Sequence, residues 1–357
     1  MVVTIVVLLI LAGISLNLVL GQNGIISRAQ DARNQTVEGQ VNTEKAVNAL
    51  TDEMEDLISE NENSGNGGNS GGSQTTVENV VIPEGYYYVG GTKAKGIVIS
   101  DNVADKELDK GKENVRRDLS GNQWVWVPVE TPSSLYTTVD AGVALSGSTG
   151  VKTTKYTNSA IISGKTRVKP GDTSGFREPD ILTYYSGYDD TNYATAGFSS
   201  LANMAETMVS DYEEMIASLE KYKGFYIGRY ELTANGEKTG ATQTDVDWYT
   251  LYKNCTTLAV GSKVKTRMIW GLQWDATCKW LDNSGFSITD SSTWGNYSNN
   301  TAGGHGTKQN TGYSESWKAN NIYDFAGNCF EFTQEANSTF RRANSGGSYI
   351  YSGSYAP

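Results

Sequence analysis

The sequence is poor in the residues that carry most nucleophilic and metal chemistry. Its 357 residues include only three Cys and one His. The odd number of Cys cannot pair completely, so a Cys255–Cys278 disulfide and three separate buried thiols both remain open. His305 stands in the Gly-rich run TAGGHGT and is expected to face solvent. A single His excludes a multi-His zinc site and argues against a Ser-His-Asp triad.

Positive charge is also scarce. Lys and Arg number 29 against 40 Asp and Glu, which gives a net charge of −11. This balance argues against nucleic acid as a partner, because phosphate binding needs clustered positive charge. The scarcity is greatest at the start of the chain, where no charged residue precedes Arg28. Met1–Leu20 also lacks the basic n-region and cleavage site of a secretory signal, and the basic flank of an ordinary anchor.

The apolar segment at residues 1–20 cannot face water. It is about as long as the roughly 20 helical residues that cross a membrane, and it could equally pack among copies of itself. Gly21 and Gly24 predict a break in the helix, after which apolar residues recur three or four apart as far as Glu60. One nearly continuous helix over 1–60 would be a rod of about 90 Å. The apolar positions expected to drive assembly are Val2, Ile5, Leu8, Leu9, Ile14, Leu18 and Leu20.

This architecture resembles the N-terminal helix of type IV pilin-like proteins. The resemblance implies a helix that is inserted in the cytoplasmic membrane and later bundles in the core of an extracellular filament. The processing motif of that family and its Glu are not visible, and Ile5 stands at the fifth position. Either the sequence begins a few residues late or the Glu is dispensable in this branch. A simple membrane anchor therefore remains open.

A linker and a head are predicted after the stalk. Residues 61–77 are rich in Gly, Ser and Asn and predict a flexible linker. The head is expected over 78–357, with an insertion of loops and short hairpins at about 132–200. In the run Trp124–Pro128 the two Trp alternate with two Val, which predicts a strand with a different face for each pair. Leu201–Tyr222 has helical spacing, and its Met and Tyr stripe is expected to face the core.

Five ordered motifs in the head resemble the formylglycine-generating-enzyme-like branch of the C-type lectin fold. The motifs are FYIGRYELT, RMIWGLQW, WGN, YDFAGNCFEF and SGGSY. The WGN motif, Trp294-Gly295-Asn296, is expected to be a structural turn rather than a ligand site. The resemblance covers about 78–130 and 222–357. It implies an α+β fold class, in which a long N-terminal hydrophobic and amphipathic helix precedes a C-type-lectin-like head with an insertion.

The same resemblance implies a calcium site and the loss of an activity. The calcium ligands would be the side chains of Asp324 and Glu331 and the carbonyls of Gly327 and Cys329, all oxygen donors of the kind Ca²⁺ prefers. Gly327-Asn328 is expected to make a tight turn with Asp324 and Glu331 on its two sides. The alternative to a calcium site is that this Asp/Glu pair only caps the turn. The enzymes of the family carry two cysteines where this chain has Tyr351 and Ala356. Neither residue can form a thiolate, so no enzymatic activity is expected.

These observations predict a structural subunit of an extracellular pilus-like filament, assembled through its N-terminal helix and displaying a non-catalytic head. A membrane-anchored surface protein that binds a glycan or protein ligand is the alternative, and a formylglycine-generating-type oxidase is the least favoured candidate. The two main candidates are compatible, because a filament head could also be adhesive. Four tyrosines of the insertion could stack on sugars or simply fill exposed turns: Tyr184, Tyr185, Tyr188 and Tyr193.

Overall fold

The structure is a computed structural model of the whole chain. It describes residues 75–132, 136–138, 156–158, 176–177, 192–300, 304–337 and 341–354. Chain contacts divide the protein into Met1–Gly72 and Ser73–Pro357, and all described residues belong to the second unit. The predicted stalk at residues 1–60, with its assembly positions and the glycine break, lies outside the described residues, as does most of the predicted insertion.

Thirteen strands and three α-helices are present in the described residues. The helices are α1 (Leu201–Tyr222), α2 (Trp248–Thr256) and α3 (Gly271–Asn283). The strands β1 to β13 are, in chain order, Thr76–Val77, Val80–Val81, Tyr87–Gly90, Val98–Ser100, Gln123–Pro128, Tyr136–Thr138, Tyr156–Asn158, Phe176–Arg177, Gly224–Gly228, Lys318–Ala319, Ile322–Tyr323, Glu331–Asn337 and Arg341–Ser345.

The predicted fold class is wrong. It was defined by a long apolar N-terminal helix, whereas the three described helices have 22, 9 and 13 residues. The strands β1 to β13 pair with one another in antiparallel fashion throughout. Among the described residues, no helix is both long enough and apolar enough to cross a membrane. The prediction took the composition of the first 20 residues as the organising element. The described core is instead built by short strands, by the apolar stripe of α1 and by α3, whose side chains enter two buried clusters.

A four-stranded sheet in the order β3-β4-β5-β9 forms the centre of the head. The predicted alternation in β5 is confirmed, because Trp124 and Trp126 join one buried cluster while Val125 and Val127 join another. The Trp cluster is flanked by the β1–β2 hairpin. The Val cluster includes side chains of α3, among them Trp274. The sheet is therefore covered on both faces, as its nearly continuous apolar sequence requires.

Helix α1 packs through the predicted stripe. Met204, Met208, Tyr212 and Leu219 are buried and Met215 is partly buried, so the core-facing interpretation is confirmed. The Ser200 side chain caps the first turn by accepting a hydrogen bond from the Asn203 amide. The helix stops at Lys223, whose φ of 56° is left-handed.

Arg229 joins the segments around the central sheet. Its side chain is fully buried just after β9. The guanidinium donates to the carbonyls of Asn321 at 3.0 Å, Arg116 at 3.0 Å and Val115 at 2.7 Å. It also donates to Gln123 Oε1 at 2.6 Å. These acceptors are neutral, so Arg229 is satisfied by hydrogen bonds rather than by an ion pair.

Candidate functional site

The predicted calcium turn lies between β11 and β12 and is tightly folded. Asp324, Gly327 and Asn328 all have positive φ, at 57°, 80° and 54°. A Cβ at Gly327 would collide with the backbone of Asn296, so close chain approach and left-handed geometry both require glycine there. The sequence prediction of a Gly327-Asn328 turn is confirmed.

Asp324 is completely buried and only half satisfied. Its Oδ2 accepts hydrogen bonds from the Thr311 hydroxyl at 3.0 Å and the Gly312 amide at 2.7 Å. Its Oδ1 is buried without a hydrogen-bond partner. Glu331, at the start of β12, likewise has a buried Oε2 without a partner, and this oxygen lies against Gly346. Two carboxyl groups of the predicted ligand set thus retain unused acceptor atoms.

Glu231 is a third buried carboxyl group that the sequence analysis did not assign to the site. Its Oε1 accepts from the Cys329 amide at 3.0 Å. Its Oε2 accepts from Asn328 Nδ2 at 2.6 Å and from the Thr242 hydroxyl, also at 2.6 Å. Glu231 therefore holds the turn through both Asn328 and Cys329. No local pattern singled out this residue, because the segment after β9, RYELTANGE, also contains a basic residue, a second Glu and several polar residues.

Burial raises the pKa of all three carboxyl groups above the ordinary range. For Glu231 the charge of Asp324 adds to this increase, and for Glu331 the charges of Glu231 and Asp324 both add to it. The pKa of Asp324 is raised by burial against the opposing hydrogen bonds from Gly312 and Thr311. Three mutually repelling carboxylates in a buried site favour the uptake of a proton or a cation.

Asn296, from the predicted WGN turn, also contributes to the surroundings of the predicted calcium turn. Its Nδ2 donates to the Thr307 carbonyl at 2.9 Å and to Asn328 Oδ1 at 3.0 Å, which supports the structural interpretation of this turn. Its Oδ1, however, is a further buried acceptor without a partner. The unpartnered atoms of Asp324, Glu331 and Asn296 are all oxygens, which fits a cation better than an anion, since a cation needs only acceptors.

The residues present can supply oxygen ligands to Ca²⁺ through Asp324 and Glu331. Within the described ranges, no group of three or more His, Cys, Asp or Glu side chains has an arrangement suited to a metal ion. That finding does not test a site made of two carboxylates and two backbone carbonyls. Calcium therefore stays a prediction.

The three cysteines are all free thiols, so the Cys255–Cys278 disulfide that the sequence allowed is not formed. Burial raises the pKa of Cys255 to about 12, with the charge of Glu237 adding to the increase. Burial also raises the pKa of Cys329, and the charge of Glu231 adds to the increase. Raised pKa values keep both groups as thiols, the unreactive form. His305 is exposed, as predicted.

A cleft of about 380 Å³ opens beside the buried carboxyl groups. Asn328 and Cys329 belong to the turn and also line the cleft, which is lined as well by residues 243–246 before α2. Phe330 stands at the cleft with 46% of its surface exposed. This cleft was not predicted from the sequence. The tyrosines Tyr184, Tyr185 and Tyr188 lie outside the described residues, and Tyr193 packs against the core beside α1.

No protein-family model matches the chain, and no curated protein or solved structure matches it either. Neither resemblance drawn from the motifs gains support from these comparisons. The residues themselves define the site as a buried acidic turn next to an open cleft.

Proposed function

We propose that the protein is a structural subunit of an extracellular, pilus-like filament that assembles through its apolar N-terminal segment. The observation that carries the proposal is the absence of charge before Arg28, followed by an amphipathic stretch and a polar linker. Burying some twenty mostly apolar residues per subunit, at roughly 25 cal/mol per Å² of apolar area, would hold copies together without disulfides. The subunit would reside in the cytoplasmic membrane before assembly.

The chemistry of the head supports a non-catalytic role. Tyr351 occupies the position of the first cysteine of the enzymes that the motifs resemble, and its ring contacts Phe330 with centroids 5.8 Å apart. Cys278 and Cys329 are buried, and Cys255 is held in the thiol form. A thiol-dependent oxidase would need an accessible thiolate.

The proposal is tested by electron microscopy of the native full-length protein. We expect fibres from the wild type and dispersed particles from a Leu8→Glu, Leu9→Glu double variant, because two charges in the apolar segment would have to be buried at each subunit contact. A Thr51→Glu variant in the amphipathic part serves as the matched control and should still form fibres. Native wild-type protein found only as dispersed membrane-bound monomers would contradict the proposal.

A membrane-anchored ligand-binding protein is the second candidate function, and the cleft beside Phe330 is the observation that favours it. In that case Met1–Leu20 would contact lipid rather than other copies. The same microscopy separates the two candidates, because an anchor gives vesicle-bound particles whether or not the cleft binds a ligand.

We also propose that the head binds Ca²⁺ through Asp324, Glu331 and the carbonyls of Gly327 and Cys329. The unpartnered carboxyl oxygens of Asp324 and Glu331 support this assignment. The ion would neutralise the buried charges and join the turn to β12, which is a structural contribution. The calcium dependence of stability tests it, as set out in the Discussion.

A further inference from the structure

The cleft beside the acidic turn contains polar side chains that the fold does not use. Asp245 is exposed, and Asp245, Ser348 and Tyr349 all line the cleft. None of these three side chains makes a hydrogen bond or ion pair within the described residues. The backbone of Asp245 has a φ of 61°, a left-handed value that a non-glycine residue adopts infrequently. Free polar groups converging on a cleft of this size are typical of ligand sites.

Lys308 adds a positive charge to the lining, next to Thr244. Its ammonium donates to the Thr244 hydroxyl at 2.9 Å and has no carboxylate within ion-pair distance among the described residues. The cleft therefore presents an acceptor-only carboxylate, a donor-only ammonium and hydroxyl groups that can do both.

The distribution of charge decides between ligand classes. An anion would be opposed by Asp245 and by the net charge of −11. A cation would be opposed by Lys308. A hydroxyl group on a ligand can donate to Asp245 and accept from Lys308, so a neutral polyol satisfies both residues together.

The apolar part of the cleft selects the shape of that polyol. Phe330 and Tyr349 line the cleft, and Tyr351 lies against Phe330 with 37% of its surface exposed. Aromatic side chains provide a large, rigid apolar surface at low entropic cost. A sugar ring has an apolar face bordered by hydroxyl groups, which matches aromatic walls bordered by Asp245 and Lys308.

We propose that this cleft is a binding site for a neutral saccharide, with Phe330 and Tyr349 against the sugar ring and Asp245 and Lys308 bound to its hydroxyls. The site lies in the head and extends the function beyond assembly. Binding is measured on dispersed full-length protein, so its failure would leave the filament proposal standing, and the reverse also holds.

The test is binding of the full-length protein in detergent to immobilised neutral oligosaccharides ending in glucose, galactose, mannose or N-acetylglucosamine. Sialylated glycans, sulfated glycans and oligolysine are the charged comparators. We expect neutral glycans to be bound in preference, and Phe330→Ala to weaken the binding about tenfold through loss of the aromatic surface. Asp245→Asn should weaken it by a similar factor, and asparagine tolerates the left-handed backbone.

Two further variants keep the result decisive. Asp118→Asn removes an exposed carboxylate that does not line the cleft and should bind like the wild type. Tyr349→Phe removes a single hydroxyl without a large change in shape and should give a smaller loss than Phe330→Ala. The proposal is overturned if no neutral glycan binds, if a charged comparator is preferred, or if folded Asp245→Asn and Tyr349→Phe variants both bind like the wild type.

Discussion

Arg229 and Glu231 lie two residues apart and are both buried, yet they belong to differently constructed regions. The guanidinium of Arg229 donates to four neutral acceptors, at distances of 2.6 to 3.0 Å. The region around Glu231 contains two further carboxyl groups, and oxygens of Asp324 and Glu331 remain without partners. All three guanidinium nitrogens of Arg229 have acceptors, whereas the second region has unused acceptors and mutual repulsion. A completed region serves stability, and an incomplete one can bind something.

Removing the guanidinium should give the largest effect. Arg229→Met keeps much of the length but leaves three carbonyls without their side-chain donor and removes the shorter of two hydrogen bonds to Gln123 Oε1. We expect a loss of about 3–5 kcal/mol in the free energy of unfolding, because buried acceptors lose both water and partner. Chemical denaturation of the full-length protein measures it. Lys253→Met, at an exposed position of α2, is the matched control and should change little. A loss below about 1 kcal/mol would show that Arg229 does not hold these segments together.

Ca²⁺ is expected to bind in the region around Glu231, where carboxyl oxygens lack hydrogen-bond partners. If Asp324 and Glu331 are ligands, Ca²⁺ at 100 times its dissociation constant raises the free energy of unfolding by about 2.7 kcal/mol. Thermal unfolding with Ca²⁺ and with a chelator measures the gain. Glu331→Gln should abolish most of it and, in the chelator, should be more stable than the wild type because one repelling carboxylate is gone.

Magnesium is the control for calcium, since it demands smaller octahedral geometry and should stabilise less. Equal melting temperatures with Ca²⁺ and with chelator would reject the site and leave the alternative that Asp324 and Glu331 only cap the turn.

Glu237 is expected to have a smaller effect on stability. It distinguishes the influence of burial on a carboxyl pKa from that of neighbouring carboxylates. Its Oε2 is also buried without a partner, but the charges acting on its pKa include no other carboxylate. Burial raises the pKa of Glu237 to about 8, against the opposing hydrogen bond from the Tyr230 amide. The folded pKa exceeds the unfolded value, so the contribution to stability is full below about pH 4.5 and is lost as the pH rises through about 8.

Glu237→Gln should therefore remove this pH dependence. We expect the variant to exceed the wild type by on the order of 1–3 kcal/mol near pH 8 and to differ little near pH 4. Denaturant unfolding across this range measures the difference. Parallel curves for the wild type and the variant would mean that Glu237 is not buried as a neutral acid.

Local sequence patterns predicted the elements around these regions well. The alternation in β5 and the stripe in α1 follow from the periods of strand and helix, which a short segment already contains. The Gly327-Asn328 turn was found because glycine and asparagine tolerate positive φ. Each of these predictions depends on residues close together in the chain.

The features that the sequence did not predict depend on contacts between residues far apart in the chain. Arg229 binds the segment around Val115 and Arg116, and Glu231 binds Cys329, so neither role has a local signature. The cleft joins residues near 245, 308 and 349, whose proximity only the tertiary fold creates. The fold class was predicted wrongly because the most apolar segment was taken as the defining element.

The smallest effect is expected at a surface ion pair, which sets the baseline for both buried regions. Lys223 and Glu220 lie 3.1 Å apart with 51% and 39% of their side chains exposed. Glu220→Gln should change the free energy of unfolding by less than about 1 kcal/mol, because water and salt screen exposed charges. Denaturant unfolding at low and at high salt checks this. A loss as large as that of Arg229→Met would mean that the contrast between the buried regions does not arise from burial.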